Sequence, residues 1–131
     1  MNKNITSIAV FYILISIILG AIGAHFIEKH IEDLSLLDTF EKGVKYLIYT
    51  GIGLLVIGLN ESKFQFSLKV FYILIIIGSI LFSGNIFAYT FHESVPNFKN
   101  FVHIVPVGGF LMIFGWAFLL IKLLINRKEL K

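Results

Sequence analysis

The chain has no cysteine, which excludes disulfides, Cys-ligated zinc and iron–sulfur clusters and leaves the redox compartment unreadable. Charge is scarce: Asp, Glu, Lys and Arg make up 15% of the chain, where a soluble domain carries roughly 25%. The formal net charge of +3 comes without a basic run interleaved with exposed aromatics, so nothing points to nucleic acid as a partner. There is no low-complexity segment and no usable repeat. There is also no polar stretch long enough to bury a core of its own, which leaves no separate soluble domain.

What is present in excess is apolar. Hydrophobic residues reach 57% of the 131, with a mean hydropathy of +0.89. They fall in long blocks separated by short charged connectors, the pattern of a polytopic membrane protein. Four spans are predicted, at about 5–27, 40–59, 68–91 and 104–125. The Ile and Val in these blocks favour strand in water. Lipid requires each backbone group to pair within its own segment, so helix is expected, in one all-α integral membrane four-helix bundle spanning 1–131. A rival reading of the first block is a signal peptide, with Lys3, an apolar run and Ala21-Ile22-Gly23-Ala24 as a small-residue cleavage site.

The second span is the least regular. Its clean apolar run, Tyr46 to Leu59, is about 21 Å long, short of a crossing. Counting back from Leu59, the helix must begin near Thr39 or Phe40, which puts Lys42 and Lys45 at the headgroups and pairs Glu41 with Lys45 at i,i+4. Ser35 or Asp38 is placed to cap it. Phe64 to Ser67 fits the membrane interface. The third span turns polar in its outer half, where Asn85 is a candidate for interhelical hydrogen bonding. Pro106 suits the first turn of the last helix, and Trp116 falls near mid-membrane, where its N–H needs a partner or its ring a neighbouring helix.

Four crossings place the N-terminus, the 60–67 turn and the C-terminus on one side, with Lys3, Lys63, Lys69, Lys122, Arg127, Lys128 and Lys131. The other side holds Lys29, Lys42, Lys45 and Lys99 amid most of the acids. By the positive-inside rule both termini are cytoplasmic, N-in/C-in, and the membrane is read as a bacterial inner (plasma) membrane.

The chemistry-bearing residues are few. His25, His30, His92 and His103 all lie on the outer side, yet no HxxxH or HExxH pair occurs, so no metal and no cofactor is expected. The deep half of the bundle carries no Asp, Glu, Lys, Arg or His, and so no proton relay. Ser79 and Ser83 read as packing hydroxyls rather than nucleophiles, and Gly51-Ile52-Gly53 lies inside a span rather than in a phosphate loop. No enzyme is expected. Small residues instead suggest close helix packing, at Gly20, Gly23, Ala24, Gly51, Gly84 and Gly115.

Gly20-Ala-Ile-Gly-Ala-His25, Phe40 with Tyr46, Phe82-Ser-Gly-Asn-Ile-Phe87, Val105-Pro-Val-Gly-Gly109 and Gly115-Trp116 together resemble the domain of unknown function 423, a family of small membrane proteins that includes those like transmembrane protein 256. The resemblance covers nearly the whole chain and implies four transmembrane helices with no established biochemical activity. Two features depart from it. A histidine common after the second-helix tyrosine is replaced here by Leu47-Ile48-Tyr49, and a tyrosine hydroxyl is missing at Phe87. Only His25 among the histidines lies on a family motif.

The leading expectation is a non-enzymatic structural or accessory protein in the lipid bilayer, packing as a homo-oligomer or within a larger membrane complex. The alternative is a small transporter or a polar-ligand or metal-binding protein. Its site would lie at the outer helix ends, formed by His25, Ser83, Asn85, Gly108 and Gly109, with the first-turn N–H groups of the last helix facing a polar head.

Overall fold

In the computed structural model, residues 1–126 are described. The first crossing starts earlier than the apolar run alone suggests. Asn2 caps it, its side chain accepting from the Ile5 N–H at 3.2 Å, while the Thr6 hydroxyl donates to the Asn2 carbonyl at 2.8 Å. From there α1 (Lys3–Ile18) passes through a π-helical turn, Leu19–Gly23, into α2 (Ala24–His30).

α3 (Ser35–Leu59) is the longest helix and begins five residues before position 40. Its cap position is neither Ser35 nor Asp38 but Leu34, which offers no side-chain bond; Asp33, one residue earlier, accepts from the Ser35 N–H at 2.9 Å. That hydrogen bonding from Ser35 holds the Asp33 carboxyl below the usual carboxylate range. The added residues lengthen the helix to about 37 Å and leave Lys42 about two turns in from its outer end. There Lys42 pairs at 2.7 Å with Asp38, an exposed i,i+4 contact in place of the expected Glu41–Lys45 pair.

A short 3-10 turn, Glu61–Lys63, leads to α4 (Lys69–Ser79), a second π-helical turn, Ile80–Gly84, and α5 (Asn85–Thr90). A 3-10 segment, Pro96–His103, precedes α6 (Val105–Ile125). Among the described residues, four helical stretches are long and apolar enough to cross a membrane: Lys3–Ala21, Ser35–Leu59, Lys69–Thr90 and Pro96–Ile125. Their outward faces carry Phe11, Leu14, Ile17, Ile73, Phe110 and Phe114, all exposed. In water such faces would be a liability; in hydrocarbon they are the solvent contact.

α1 packs chiefly on α3, and α4 on α6. Glycine sets the first approach: a Cβ on Gly51 would lie 2.9 Å from Ile13 and 3.2 Å from the Ala9 carbonyl oxygen. The second is closer still. A Cβ on Gly108 would meet backbone on α4 and the turn after it, 2.7 Å from the Gly78 oxygen and 2.8 Å from the Leu81 carbonyl carbon. Gly115 continues that seam against Ile75 and Leu74. Between the two pairs lie Phe71, Ile75, Leu54 and Ala9, none with any exposed surface.

Buried hydroxyls tie the crossings together where hydrocarbon offers no other partner. Ser83 donates to the Gly43 carbonyl at 2.9 Å, linking the third crossing to α3. Ser79 shares its one proton between the Tyr12 hydroxyl at 3.2 Å and the Ile76 carbonyl at 2.9 Å, joining the first crossing to the third.

Candidate functional site

Both π-helical turns fall on motifs singled out from the sequence, Leu19–Gly23 on Gly20–His25 and Ile80–Gly84 on Phe82–Phe87. A π-helical turn disrupts the regular backbone ladder, and the freed groups need other partners. Asn85 supplies one. Its backbone N–H bonds the Phe82 carbonyl, and its side-chain amide donates to the Leu81 carbonyl at 2.6 Å. Asn85 is therefore a repair of its own helix, not the interhelical link expected. Gly84 likewise does not pack: a Cβ there would meet nothing within 4 Å.

Within the turn, Phe82 faces α3 and α6, where a cleft of about 620 Å³ opens. α3 contributes Tyr46, Tyr49 and Thr50, the turn contributes Phe82, and α6 contributes Gly109, Met112, Ile113 and Trp116. Tyr46 and Phe82 pack ring on ring at 4.8 Å, with Tyr49 6.3 Å further on. Trp116 stands edge-on to Phe71 at 5.2 Å, and Gly53 leaves room for its six-membered ring. Thr50 spends its hydroxyl on the Tyr46 carbonyl at 2.8 Å. The walls are thus aromatic and aliphatic, and Tyr49 and Ile113 at the mouth are exposed. Such a cleft selects by shape and apolar contact.

The five residues expected to form a polar pocket are distributed differently. Gly109 lines the cleft, and Gly108 is pressed against the turn beneath it. Ser83 is turned away toward α3, and Asn85 is bonded within its helix. The His25 side chain is 83% exposed, its Nδ1 4.0 Å from Glu28, so the i,i+3 pair does share a face. His30 stacks on Phe26 at 4.2 Å within α2, and His92, in the turn after α5, stacks on Tyr89 at 4.6 Å; each imidazole is bonded to the carbonyl of the residue it stacks on. Among the described residues no group of three His, Cys, Asp or Glu converges.

Of the packing glycines, Gly23 lies against the Phe40 ring so closely that a Cβ would overlap it, whereas Gly20 meets Val44 at an ordinary 3.5 Å. The Ala24 side chain lies outside the described part of the structure. Sequence reasoning missed Tyr49, Thr50, Met112 and Ile113. The available signal was Tyr46, Tyr49 and Thr50 on one helix face, together with a mid-span tryptophan in need of a neighbour.

These features define a four-helix integral membrane protein with a lateral aromatic cleft. The chain belongs to the family described as protein of unknown function (DUF423), whose profile matches residues 19–109. That segment opens on the first π-helical turn and closes on Gly109. A UPF0382 membrane protein of Staphylococcus aureus is 34% identical over 102 residues, covering 78% of this chain and 80% of its own length. UPF0382 membrane protein YwdK of Bacillus subtilis is 31% identical over 110 residues, covering 82% and 85%. A UPF0382 membrane protein of Schizosaccharomyces pombe is 28% identical over 121 residues, covering 90% and 99%. No solved structure matches the chain.

Proposed function

We propose that this is a non-enzymatic accessory protein of a plasma membrane, and that it packs laterally against another membrane protein whose apolar side chains enter the cleft between α3 and α6. The observation that carries the reading is the composition of that cleft. It gathers Tyr46, Phe82, Gly109 and Trp116, each from a different motif, around a mouth facing hydrocarbon. Its one aliphatic hydroxyl is already bonded within α3. Membrane helices associate through such close, shape-matched contacts because lipid supplies no hydrophobic drive between them.

A photo-crosslinking amino acid at Ile113 tests this in native membranes. Discrete protein adducts are expected, a second copy and a different chain being told apart by mass. They should disappear when Gly109→Trp fills the cleft. Adducts to lipid alone sink the proposal.

The proposed orientation has both termini in the cytoplasm, on the strength of the lysine and arginine asymmetry across the bundle. The lack of native cysteine makes single-cysteine reporters unambiguous. Ser94→Cys should react with an impermeant thiol reagent on intact cells, and Ser62→Cys only after permeabilisation. The reverse pattern would overturn the orientation.

A further inference from the structure

At the end of the bundle that carries the N-terminus, a second cleft of about 630 Å³ opens between the start of α1, the Glu61–Lys63 turn, the segment after it and the first turns of α4. It is unlike the first. Its deeper wall is aliphatic, with Ile73 and Ile77 one turn apart on α4. Its rim is polar and carries one charge of each sign, Glu61 and Lys69. Among the described residues these two make no ion pair, with each other or with another group.

Tyr72, on the same wall, supplies an independent observation. It is only 6% exposed, and among the described residues its hydroxyl has no hydrogen-bond partner. Leaving a buried hydroxyl unpaired costs about 1–3 kcal/mol, and such orphans are rare in folded proteins. A helical side chain leans toward the N-terminus of its own helix, which directs the phenol of Tyr72 toward the rim. Glu61 lies within electrostatic reach of that phenol. Lys69 stands three residues before Tyr72 on the same helix face. Leu68, at the cap position of α4, offers no side chain to the helix's first N–H groups, and the Ser67 hydroxyl takes only that of Lys69, at a long 3.4 Å.

We infer that this cleft is a binding site for one phospholipid with a zwitterionic, amine-bearing head, of the phosphatidylethanolamine type. An acyl chain lies along Ile73 and Ile77. The phosphate meets Lys69 and the positive end of α4 and accepts the hydrogen bond for which Tyr72 has no partner among the described residues. The ammonium group donates to Glu61. Head chemistry discriminates the alternatives. Phosphatidylglycerol satisfies Lys69 but brings no cation to Glu61. Phosphatidylcholine carries the cation but has no N–H to donate. The inference stands apart from the helix-docking proposal, since it uses the opposite end of the bundle and none of the residues of the first cleft.

The test is native mass spectrometry of the full chain released from nanodiscs holding equal parts of phosphatidylethanolamine, phosphatidylglycerol and phosphatidylcholine with identical acyl chains. The wild type is expected to retain one phosphatidylethanolamine about tenfold over either competitor, the ratio that one charge-assisted hydrogen bond supplies. Glu61→Gln should reduce that preference to near unity while lipid is still bound. Tyr72→Phe removes the orphan hydroxyl alone. It should weaken retention and abolish the melting-temperature rise on adding phosphatidylethanolamine, without lowering the melting temperature of the lipid-free protein. Equal retention of the three lipids, a preference for phosphatidylglycerol, or a phosphatidylethanolamine preference that survives Glu61→Gln would each overturn the inference.

Discussion

Gly108→Leu is expected to lower the stability of the bundle in detergent by about 3 kcal/mol, at the upper end of overpacking costs. That corresponds to a fall in melting temperature of roughly 10 °C for a chain of this size. A Cβ at Gly108 meets carbonyl groups of the Gly78–Leu81 backbone rather than side chains. A side chain can change rotamer; backbone within two packed helices can give way only if α6 moves off α4. The same displacement would pull Gly109 and Met112 away from Phe82 and open the cleft. Gly84→Leu, in the same stretch of the third crossing, is the matched control. It has open space and should change stability by no more than about 0.5 kcal/mol. Thermal unfolding monitored by circular dichroism distinguishes the two. Equal effects at both sites would refute the packing assigned here.

The second large effect is predicted where Phe40 meets Gly23. Phe40 is 2% exposed, lies against the bare backbone of Gly23 and packs on Phe87 at 5.2 Å. Phe40→Ala should cost about 3 kcal/mol, chiefly through the cavity it leaves. Gly23→Leu should also destabilise, because the added side chain and the Phe40 ring claim one volume. The double variant places the leucine in the space the phenylalanine vacates. Its loss should fall short of the sum of the singles by a coupling of about 1–3 kcal/mol. Strict additivity would mean that Gly23 and Phe40 do not share that space. The pair also gives the Gly20–His25 motif a physical content, since its second glycine is the seat of a buried ring from α3.

How far these features were legible in the sequence differs by level. The four crossings were readable because hydropathy over twenty residues is a one-dimensional signal, and because lipid leaves a backbone no option but helix. Gly51 and Gly115 were readable as packing positions because small residues in apolar helices have few other uses. Gly84 carried the same signature and does not pack. Residue type records that an approach is possible, while the rotation of the helix decides whether a neighbour occupies the space. Asn85 shows the same limit, because its polar group found a partner created by a local change of helical pitch.

The sequence by itself determined the class of this protein, the number of its crossings and its family, since each is set by local composition and by the order of short motifs along the chain. The tertiary structure alone decided what the motifs do. Within the second π-helical turn the changed helical pitch leaves Ser83 facing Gly43 and Phe82 facing Tyr46. No count of hydrophobic residues carries that change of pitch. The same turn lies in backbone contact with Gly108, and its pitch fixes which side chains face the cleft and which face the core.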